Sequence, residues 1–389
     1  MLDIINIGTS GLLGNEQGLR TVGNNLSNVN TTGFKGAKAQ FASLFDQSAG
    51  MGTEGNSSGM EVLGNSINFQ AGSDQSTGNP LDLMISGEGF FAVRHDGQIQ
   101  YTRSGSFHFD ASGFLVNATG DHVLSLDSNG GLVDVKVNPE DRSMPKATTT
   151  VQFAGNLSST VSTPAVAQTV NGVSVIDAGG ATHNLNLSFT NSGDGSFAVT
   201  VTDAATNTQV GTGTLKFAGG FPVADSSSVK FSYAPAGQAA NDITLSFGSN
   251  VTSLASATTL TSMSQDGFAA GTIKDQTIDG DGVVNVAYSN GQSVKGARLV
   301  LANFRSPEDL ESAGRSAFSL KAGSAVQYGY AGLGGFGGLT SGHLEGSNVD
   351  MAEEFSNLIV MQRGYQAASH VISTANDMIQ ELFDMKGNR

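Results

Sequence analysis

Apolar residues at the start of the chain recur every seven positions, in two rows that lie three residues apart. The first row is Ile5, Leu12, Leu19 and Leu26, and the second row is Gly8, Asn15, Val22 and Val29. Two such rows predict a helix that packs against another helix, although the Gly and the Asn weaken its contact stripe. The Asn30–Gly33 stretch predicts the end of this helix, because Gly readily adopts the left-handed conformation at a helix C-terminus.

A cleaner stripe of the same period occupies the other end of the chain. Its rows are Met351, Leu358, Tyr365, Ile372 and Ile379, and Glu354, Met361, Ala368, Ala375 and Leu382. The Ser347–Asp350 segment has the form of a capping box at the start of a helix, and Gly387 marks the end. At a rise of 1.5 Å per residue, a helix over about 350–386 is roughly 55 Å long. We expect the two terminal helices to pair with each other and to become ordered when many copies pack together. The alternative is that each helix packs only on its own domain.

Between the two ends, the apolar period changes from seven residues to two. Residues 33–67 are predicted to form a connecting region, in which Ser48–Gly59 resembles a flexible loop. Strand signals begin near Asn68. The clearest of them predicts a hairpin that turns at Asp96-Gly97, and similar turns are predicted at Ser112-Gly113, Asn129-Gly130 and Asn290-Gly291.

Residues 148–262 are rich in Thr, Ser, Ala and Gly, and their apolar residues alternate strictly with polar ones. The alternating sets are Leu185, Leu187 and Phe189; Phe197, Val199 and Val201; Val229, Phe231 and Tyr233; and Ile243, Leu245 and Phe247. This pattern predicts an antiparallel β-sandwich or barrel with one face exposed to water.

The fold class is therefore predicted to be mainly β with terminal α-helices, in nested domains. The helical domain comprises 1–32 and 348–389, and the connecting region 33–67 follows it. An inner, discontinuous β-domain comprises 68–147 and 263–347, and the outer β-domain, 148–262, is inserted into it.

Composition narrows the possible partners. The chain has 389 residues, a net charge of −15 and only 14% charged residues, so neither nucleic acid nor an anionic membrane is an expected partner. It contains no cysteine, which excludes disulfides and thiolate chemistry. No stretch approaches the roughly 18 apolar residues of a membrane-spanning helix. The opening MLDIINIGTS lacks the basic and apolar regions of a signal peptide, so no cleaved signal is expected.

Three short motifs match chemical signatures without the structural context that those signatures need. Gly332–Gly337 fits a dinucleotide-binding pattern, but we expect a flexible loop that leads to the last helix. Gly55–Gly59 fits a nucleophile elbow without the required strand and helix. Asp279–Gly282 suggests calcium, but Val283 stands where a third oxygen ligand is needed, so a hairpin turn is predicted.

The chain contains six histidines, which are candidates for metal binding or catalysis. They are His95, His108, His122, His183, His343 and His370. None has the sequence spacing of a metal ligand or a carboxylate motif beside it. We therefore expect no catalytic residue, no metal site and no cofactor, and the chain is not expected to be an enzyme.

Several segments resemble a known protein family. Asn24–Lys35 resembles the N-terminal signature of bacterial flagellar rod and hook proteins. Segments similar to the start of that family's first β-domain are Gly78–Leu83, Gly87–Phe91, Tyr101–Gly105 and Asp110–Val116. Segments similar to its C-terminal axial helix are Ser347–Asp350, Gln362–Ala367 and Asn376–Ile379. The motif residues carried over from this resemblance are Asn25, Asn28, Thr32, Gly33, Phe34, Lys35, Asn348, Asp350, Gln362 and Arg363.

Within the family, the insertion at 148–262 favours the hook members, since rod subunits lack a large outer β-domain. Val283–Gly291 and Leu299–Phe304 also look like the hook protein's return into its inner domain. The resemblance implies a structural subunit that assembles into a curved helical tube, a universal joint that transmits torque from rod to filament. A distal rod subunit of the basal body is the first alternative. A secreted β-rich binding protein or hydrolase is the second.

The resemblance also implies partners and a location. The partners are copies of the same chain in a homopolymer, flagellar rod proteins, the hook cap protein, the hook–filament junction protein and the flagellar type III export apparatus. The location is the extracellular hook, reached without a cleaved signal peptide. Neither nucleic acid binding nor membrane insertion is implied. The residues expected to mediate self-assembly are Ile5, Leu12, Leu19, Val22, Leu26, Val29, Met351, Leu358, Met361, Tyr365, Ile372, Ile379 and Leu382.

Overall fold

The structure is a computed structural model, and it describes residues 2–45, 57–162 and 165–387 of the 389-residue chain. Most of its regular structure is β-strand. The described residues contain two α-helices, α1 (Leu2–Ser27) and α2 (Met351–Gly387). The predicted fold class, mainly β with a helix at each end, is confirmed.

The chain divides into two compact units. The terminal unit contains Met1–Pro139, Gln276–Val286 and Lys295–Arg389, and the inserted unit contains Glu140–Asp275 and Ala287–Val294. The finer domain boundaries given above remain predictions.

Helix α1 ends earlier than its sequence predicts. It stops at Ser27, where the Asn28 side-chain amide donates to the carbonyl oxygen of Asn24 over 2.9 Å. Gly33 is therefore not the cap of this helix. Its left-handed φ of +67° serves a close approach instead, because a Cβ at this position would lie 2.3 Å from the Ser104 backbone nitrogen.

Helix α2 begins where predicted, but a different residue caps it. Asp350 Oδ1 accepts hydrogen bonds from the backbone N–H groups of Ala352, at 2.7 Å, and Glu353, at 3.0 Å. Ser347 Oγ accepts only from the N–H of Val349, at 3.3 Å. Asp350 is thus the N-cap residue, because its carboxylate satisfies two N–H groups that have no partner within the helix.

The first part of the terminal unit contains ten strands. They are β1 (Ala37–Phe45), β2 (Ser57–Ile67), β3 (Asp74–Ser76), β4 (Leu83–Ser86), β5 (Phe90–His95), β6 (Gln98–Thr102), β7 (Phe107–Phe109), β8 (Leu115–Asn117), β9 (His122–Leu126) and β10 (Leu132–Asp134). Strands β1 and β2 pair antiparallel, so the prediction that strands begin only near Asn68 is wrong. Most of the predicted Ser48–Gly59 loop lies outside the described residues, as do Gly55 and Asn56 of the elbow-like motif. The predicted hairpin at Asp96-Gly97 is confirmed by the pairing of β5 with β6.

The inserted unit contains eleven complete strands. They are β11 (Arg142–Ser143), β12 (Thr150–Asn156), β13 (Gln168–Ile176), β14 (Thr182–Asn191), β15 (Ser196–Asp203), β16 (Gln209–Ala218), β17 (Phe221–Pro222), β18 (Ser228–Tyr233), β19 (Asn241–Ser246), β20 (Val251–Thr252) and β21 (Thr261–Gln265).

Two five-stranded sheets of this unit share one apolar core. The first has the order β18-β19-β12-β20, with β21 also paired to β12, and the second has the order β13-β14-β15-β16-β17. Phe153, Phe189 and Phe247 are among the fully buried side chains of this core. Strand β12 pairs parallel with both β19 and β20, so the first sheet is mixed where a wholly antiparallel arrangement was predicted.

Three strands run through the division between the units: β22 (Gly271–Ile278), β23 (Val283–Tyr288) and β24 (Ser293–Arg298). Asp279–Gly282 forms the turn between β22 and β23, as predicted. Asp279 Oδ1 accepts from the N–H groups of Asp281, at 3.1 Å, and Val283, at 2.9 Å. The aspartate therefore stabilises a turn with its own backbone.

The terminal unit is completed by β25 (Leu301–Phe304), β26 (Leu310–Gly314), β27 (Ala317–Leu320), β28 (Val326–Gly329), β29 (Gly338–Ser341) and β30 (His343–Glu345). A ten-stranded sheet joins both parts of this unit, in the order β26-β27-β6-β5-β9-β8-β7, with β10, β25 and β28 attached. Strand β29 pairs with β4, and β30 pairs with β3. Gly332–Gly337 forms a loop between β28 and β29, as predicted, but β29 and β30 follow it, so the prediction that it leads directly to the last helix is wrong.

Candidate functional site

Helices α1 and α2 pack against each other in antiparallel order, and glycines of α1 line their contact. A Cβ added at Gly8 would lie 2.7 Å from Ile372 Cγ1, and one at Gly18 would lie 2.7 Å from Met361 Sδ. Between them, a Cβ at Gly11 would lie 3.5 Å from that of Ala368. Gly8, which weakens the sequence stripe, and Gly11 and Gly18, which lie outside its rows, therefore allow the two helix backbones to approach closely.

The predicted assembly residues of α1 are all buried or half-buried. Val22 is buried, and the half-buried residues are Ile5, Leu12, Leu19 and Leu26. Val29 is also half-buried, but it lies beyond the end of α1 and cannot extend the helical stripe.

The predicted assembly residues of α2 divide into two groups. Those half-buried are Leu358, Met361, Ile372 and Ile379. Met351, Tyr365 and Leu382 are exposed in the single chain, and their role in self-assembly remains a prediction. Gly364 is the residue that meets Asn15 of α1, one position before Tyr365. A straight helix with 3.6 residues per turn drifts away from a seven-residue repeat, which explains the displaced positions.

A second face of α1 packs on the β1–β2 hairpin, which the sequence did not indicate. Ser10 Oγ accepts from the Met60 N–H at 3.2 Å, and a Cβ at Gly14 would lie 2.8 Å from the Met60 methyl carbon. Further along, Thr21 Oγ1 donates to Asn65 Oδ1 over 3.1 Å. Helix α1 is therefore held on two sides, by α2 and by the hairpin.

Helix α2 carries many apolar side chains that contact little of the described chain. The exposed ones are Met351, Phe355, Ile359, Val360, Tyr365, Val371, Met378, Leu382, Phe383 and Met385. Val371, Met378 and Met385 recur every seven residues and form a second apolar stripe, 41%, 50% and 71% exposed. An exposed apolar surface of this extent is typical of an interaction site.

The two helices meet the β-structure at a junction built by two asparagines. Asn25 binds both backbone groups of Ala37, the first residue of β1. Its Oδ1 accepts from the Ala37 N–H at 3.0 Å, and its Nδ2 donates to the Ala37 carbonyl at 2.7 Å. The same Nδ2 donates to Glu354 Oε1 of α2 at 2.9 Å. Asn25 thereby connects α1, β1 and α2.

Asn348, just before α2, forms a matching set of bonds. Its Oδ1 accepts from the Gly36 N–H at 2.8 Å, and its Nδ2 donates to the carbonyl oxygens of Asn68, at 2.7 Å, and Gln70, at 3.0 Å. A single side chain therefore ties the segment before α2 to the segments on either side of the β1–β2 hairpin.

A buried ionic cluster lies beside these asparagines. Lys35 Nζ is 2.5 Å from Glu345 Oε1, and Arg103 Nη1 is 3.2 Å from Glu345 Oε2. Lys35 also donates to the Gln70 carbonyl at 2.6 Å, and the Gly72 N–H donates to the Glu345 carboxylate at 2.9 Å. Burial lowers the pKa of Lys35 from its usual value, against the opposing effect of Glu345. The cluster therefore holds these chain segments in a fixed arrangement, although burial of its charged groups carries an unfavourable desolvation free energy.

The other motif residues have simpler surroundings. Thr32 Oγ1 lies 3.2 Å from Ser104 Oγ, and the Phe34 carbonyl accepts from the Asn348 N–H at 3.4 Å. Gln362 and Arg363 are exposed on α2 and are not part of the junction. Of the ten motif residues, Gly33 and Lys35 bond to Glu345, and Asn348 shares the Gln70 carbonyl acceptor with Lys35. Glu345 was not singled out by the sequence, because a lone charged residue in a strand gives no periodic signal, and Arg103 was present only within the Tyr101–Gly105 segment.

Four of the six histidines pair with aspartates. The pairs are His95 with Asp121 at 2.6 Å, His122 with Asp134 at 3.1 Å, His183 with Asp177 at 2.9 Å, and His343 with Asp74 at 2.6 Å. Across residues 2–45, 57–162 and 165–387, no group of three or more His, Cys, Asp or Glu side chains is arranged to hold a metal ion. Neither described helix is long and apolar enough to cross a membrane.

Three family descriptions match segments of this chain. "Flagella basal body rod protein" matches residues 5–35, and "Flagellar hook protein FlgE/F/G D1 domain" matches residues 84–179. "Flagellar basal body rod FlgEFG protein C-terminal" matches residues 340–385. The first and last of these segments carry the helices, and the middle one carries much of the ten-stranded sheet.

Individual proteins match over nearly the whole chain. The flagellar hook protein FlgE of Salmonella typhimurium is 32% identical over 403 residues, covering 97% of this chain and 98% of that protein. The flagellar hook protein FlgE of Rhizobium meliloti is 33% identical over 401 residues, with the same coverage of both chains. A crystal structure of the Helicobacter pylori flagellar hook protein FlgE2 covers 70% of this chain and 100% of that chain, with a TM-score of 0.47 and 14% identity.

Proposed function

This chain belongs to the flagellar hook protein family, and we propose that it builds the hook through the faces of its terminal helices that remain exposed when the two helices pair. The second apolar stripe of α2, at Val371, Met378 and Met385, is the observation that supports this proposal. Burying that stripe against copies of the same chain removes apolar surface from water, which stabilises the assembly. The product is a homopolymer.

A helical tube is the expected form of this homopolymer. An interface between two different faces of a subunit repeats without limit unless the rotation closes into a ring. The helix pairs line the inside of a curved tube that acts as a universal joint between rod and filament. The subunit has a structural role and performs no enzymatic reaction.

The assembly has partners at each end. Rod proteins lie at the base of the tube, a hook–filament junction protein lies at its far end, and a hook cap covers the growing tip. The subunit reaches that tip through the flagellar type III export apparatus, unfolded and without a cleaved signal peptide. A helix such as α2, whose apolar side chains are largely exposed in a single chain, suits this route, because its ordering is coupled to assembly.

A distal rod subunit is the second candidate. Two of the matching family descriptions, at residues 5–35 and 340–385, are named for rod proteins. The full-length relatives are named hook proteins, and their alignment includes the inserted unit, which favours the hook.

Substitution of the exposed stripe tests the assembly mechanism. Replacing Val371, Met378 and Met385 with serine should abolish tube formation. The β-strand signal in the circular dichroism spectrum of the chain should be unchanged. The control replaces Ser369, Ser373 and Gln380, which are exposed on the same helix, with alanine. Tubes are counted by electron microscopy after assembly of purified protein. Normal tubes from the stripe variant would contradict the proposed interface.

Two further experiments separate hook from rod and define the part that polymerises. Deletion of the gene should leave purified basal bodies with complete rods and no hook, whereas an incomplete rod would favour the second candidate. Removal of residues 350–389 should leave the inner and outer β-domains folded, but the truncated chain should not polymerise. Tubes from the truncated chain would exclude a role for α2 in assembly.

A further inference from the structure

A histidine in the ten-stranded sheet stands between two opposite charges. His95, the last residue of β5, lies with Nδ1 2.6 Å from Asp121 Oδ1. Its other ring nitrogen, Nε2, lies 2.6 Å from a guanidinium nitrogen of Arg315. Arg315 belongs to the turn between β26 and β27, which is distant in sequence but lies in the same unit.

These two contacts determine the protonation state of the ring. A guanidinium has donors and no acceptor, so Nε2 must accept through its lone pair. Nδ1 then carries the hydrogen and donates it to Asp121. His95 in this arrangement is therefore neutral, in the Nδ1–H tautomer.

Asp121 is held as a carboxylate by other donors. Thr119 Oγ1 donates to Asp121 Oδ2 at 2.7 Å, and Asn117 Nδ2 donates to the same oxygen at 2.9 Å. Burial raises the pKa of Asp121, but the hydrogen bonds from Thr119, Asn117 and His95 outweigh it, so the pKa lies below its usual value. The negative charge beside His95 is thus permanent at neutral and mildly acidic pH.

Arg315 and Ser316 form a turn whose backbone conformation these two residue types do not favour. Arg315 and Ser316 have φ values of +53° and +56°. Turns with two such residues normally contain Asn-Gly, because other side chains are strained in the left-handed region. Two contacts from β5 and β6 hold this turn: the Arg315–His95 bond, and the bond from Thr102 Oγ1 to the Ser316 carbonyl at 2.9 Å.

The turn lines a groove of about 1080 Å³. Arg315 and Ser316 line this groove together with Thr119 and with Asn24 and Asn28 of α1. Movement of the turn therefore changes the shape of a surface beside α1.

We propose that His95 is a proton-binding site that controls this turn. When His95 is neutral, Nε2 accepts from Arg315 and the turn is held. Addition of one proton to Nε2 removes the acceptor and places two cations against each other. The new N–H then faces Asp96 Oδ2, which lies 3.4 Å from Nε2, while Nδ1–H continues to donate to Asp121. Arg315 is released, and the strained turn loses a side-chain contact that holds it against β5.

The charged groups around His95 favour this exchange. Asp96 follows it in the β5–β6 turn, Asp121 precedes β9, and Arg315 reaches it from the β26–β27 turn. Nearby, Arg94 and His122 pair with Asp134, at 2.6 and 3.1 Å. Imidazole is the side chain whose charge ordinarily changes between pH 5 and 8, so the exchange is tested across that interval.

Hydrogen exchange of the full chain, followed by mass spectrometry at pH 7.5 and pH 5, tests the proposal. After correction for the intrinsic pH dependence of exchange, peptides over 310–318 should exchange at least about threefold faster at pH 5. Arg315→Ala should give fast exchange at both pH values. His95→Gln keeps an acceptor that does not titrate, and it should give slow exchange at both.

Two further variants keep the test decisive. His122→Gln is the matched control, since His122 pairs with Asp134 and does not contact Arg315, and it should keep the normal pH response. Replacing Arg315-Ser316 with Asn-Gly makes the turn independent of His95, so exchange over 310–318 should be slow at both pH values. The proposal is overturned if the unaltered chain shows no pH response over 310–318, or if His95→Gln retains the full response.

Discussion

Lys35 and Glu345 form a buried ion pair, 2.5 Å between Nζ and Oε1, although 310 residues separate them in the chain. Their side chains are 0% and 2% exposed. Lys35 follows the first helix and Glu345 precedes the second, so this contact joins the two ends of the chain beneath the helix pair. The chain also offers a natural comparison, because Lys38 and Glu353 form an exposed pair at 2.8 Å in the same region.

Lys35→Ala should destabilise the terminal unit by about 3 kcal/mol, because it leaves the buried Glu345 carboxylate without one of its cations. Lys38→Ala should cost less than about 1 kcal/mol, since its pair is exposed to water. Both values come from urea unfolding of the purified chain, followed by circular dichroism. Equal effects of the two substitutions would contradict the structural role given to the buried pair.

Removal of the Asn348 side chain, or its replacement by a charged one, should destabilise the terminal unit. Asn348→Ala removes the acceptor for the Gly36 N–H and should cost about 2 kcal/mol, the usual result of leaving a buried donor unsatisfied. Asn348→Asp keeps that acceptor but faces the carbonyl oxygens of Asn68 and Gln70 with a negative charge, so it should cost at least as much. Hydrogen exchange measured over β1 and the start of α2 should be faster in both variants. Unchanged protection in Asn348→Ala would show that the junction does not depend on this residue.

Two glycines of α1 should respond in opposite directions to the same substitution. Gly23→Ala should stabilise the chain by up to about 1 kcal/mol, because alanine favours helix and the added methyl group meets no atom within 4 Å. Gly8→Ala gains the same helix propensity, but its methyl group would lie 2.7 Å from Ile372 Cγ1 and should separate the helices. Thermal unfolding followed by helical circular dichroism distinguishes the two. Stabilisation by both substitutions would mean that α1 does not approach α2 closely in solution.

Local patterns in the sequence predicted much of the fold, because periodicity and turn chemistry are local properties. The Asp96-Gly97 hairpin and the start of α2 near Asp350 were found in this way. The parallel pairing of β12 with β19 was not, since strand direction depends on connections that periodicity does not record. The β1–β2 hairpin was also missed, because its glycines and serines interrupt the alternation that marks a strand.

The candidate site was predictable only in part, for a related reason. The resemblance marked Lys35 and Asn348, but their partners are backbone atoms and a glutamate that lie far away in sequence. Gly8 appeared as a defect in the heptad stripe, and Gly18 lies in neither of its rows. Only the partner helix, with Ile372 and Met361 opposite them, shows that they are contact positions.

The last prediction concerns acid stability of the inserted unit. Tyr233 Oη donates to Asp203 Oδ2 at 2.6 Å, and this hydrogen bond is the largest cause of a lowered pKa at Asp203. An unfolded aspartate has a pKa of about 3.9, so the unfolded chain binds more protons than the folded chain below that pH. The stability from this pair is therefore present above about pH 4 and is lost as the pH falls through the folded pKa.

Tyr233→Phe should therefore destabilise the inserted unit by about 2 kcal/mol at pH 7, because the Asp203 carboxylate loses a charge-assisted bond. The difference from the unaltered chain should be smaller at pH 2.5 than at pH 7, because falling pH protonates Asp203 and the unaltered chain then loses its charge-assisted bond. Urea unfolding at the two pH values, followed by circular dichroism, measures both differences. Tyr288→Phe, in the same unit, leaves the Asp203 carboxylate untouched and should show no such dependence on pH. If Tyr233→Phe costs the same at pH 7 and pH 2.5, the Tyr233 hydroxyl does not act through the ionised form of Asp203.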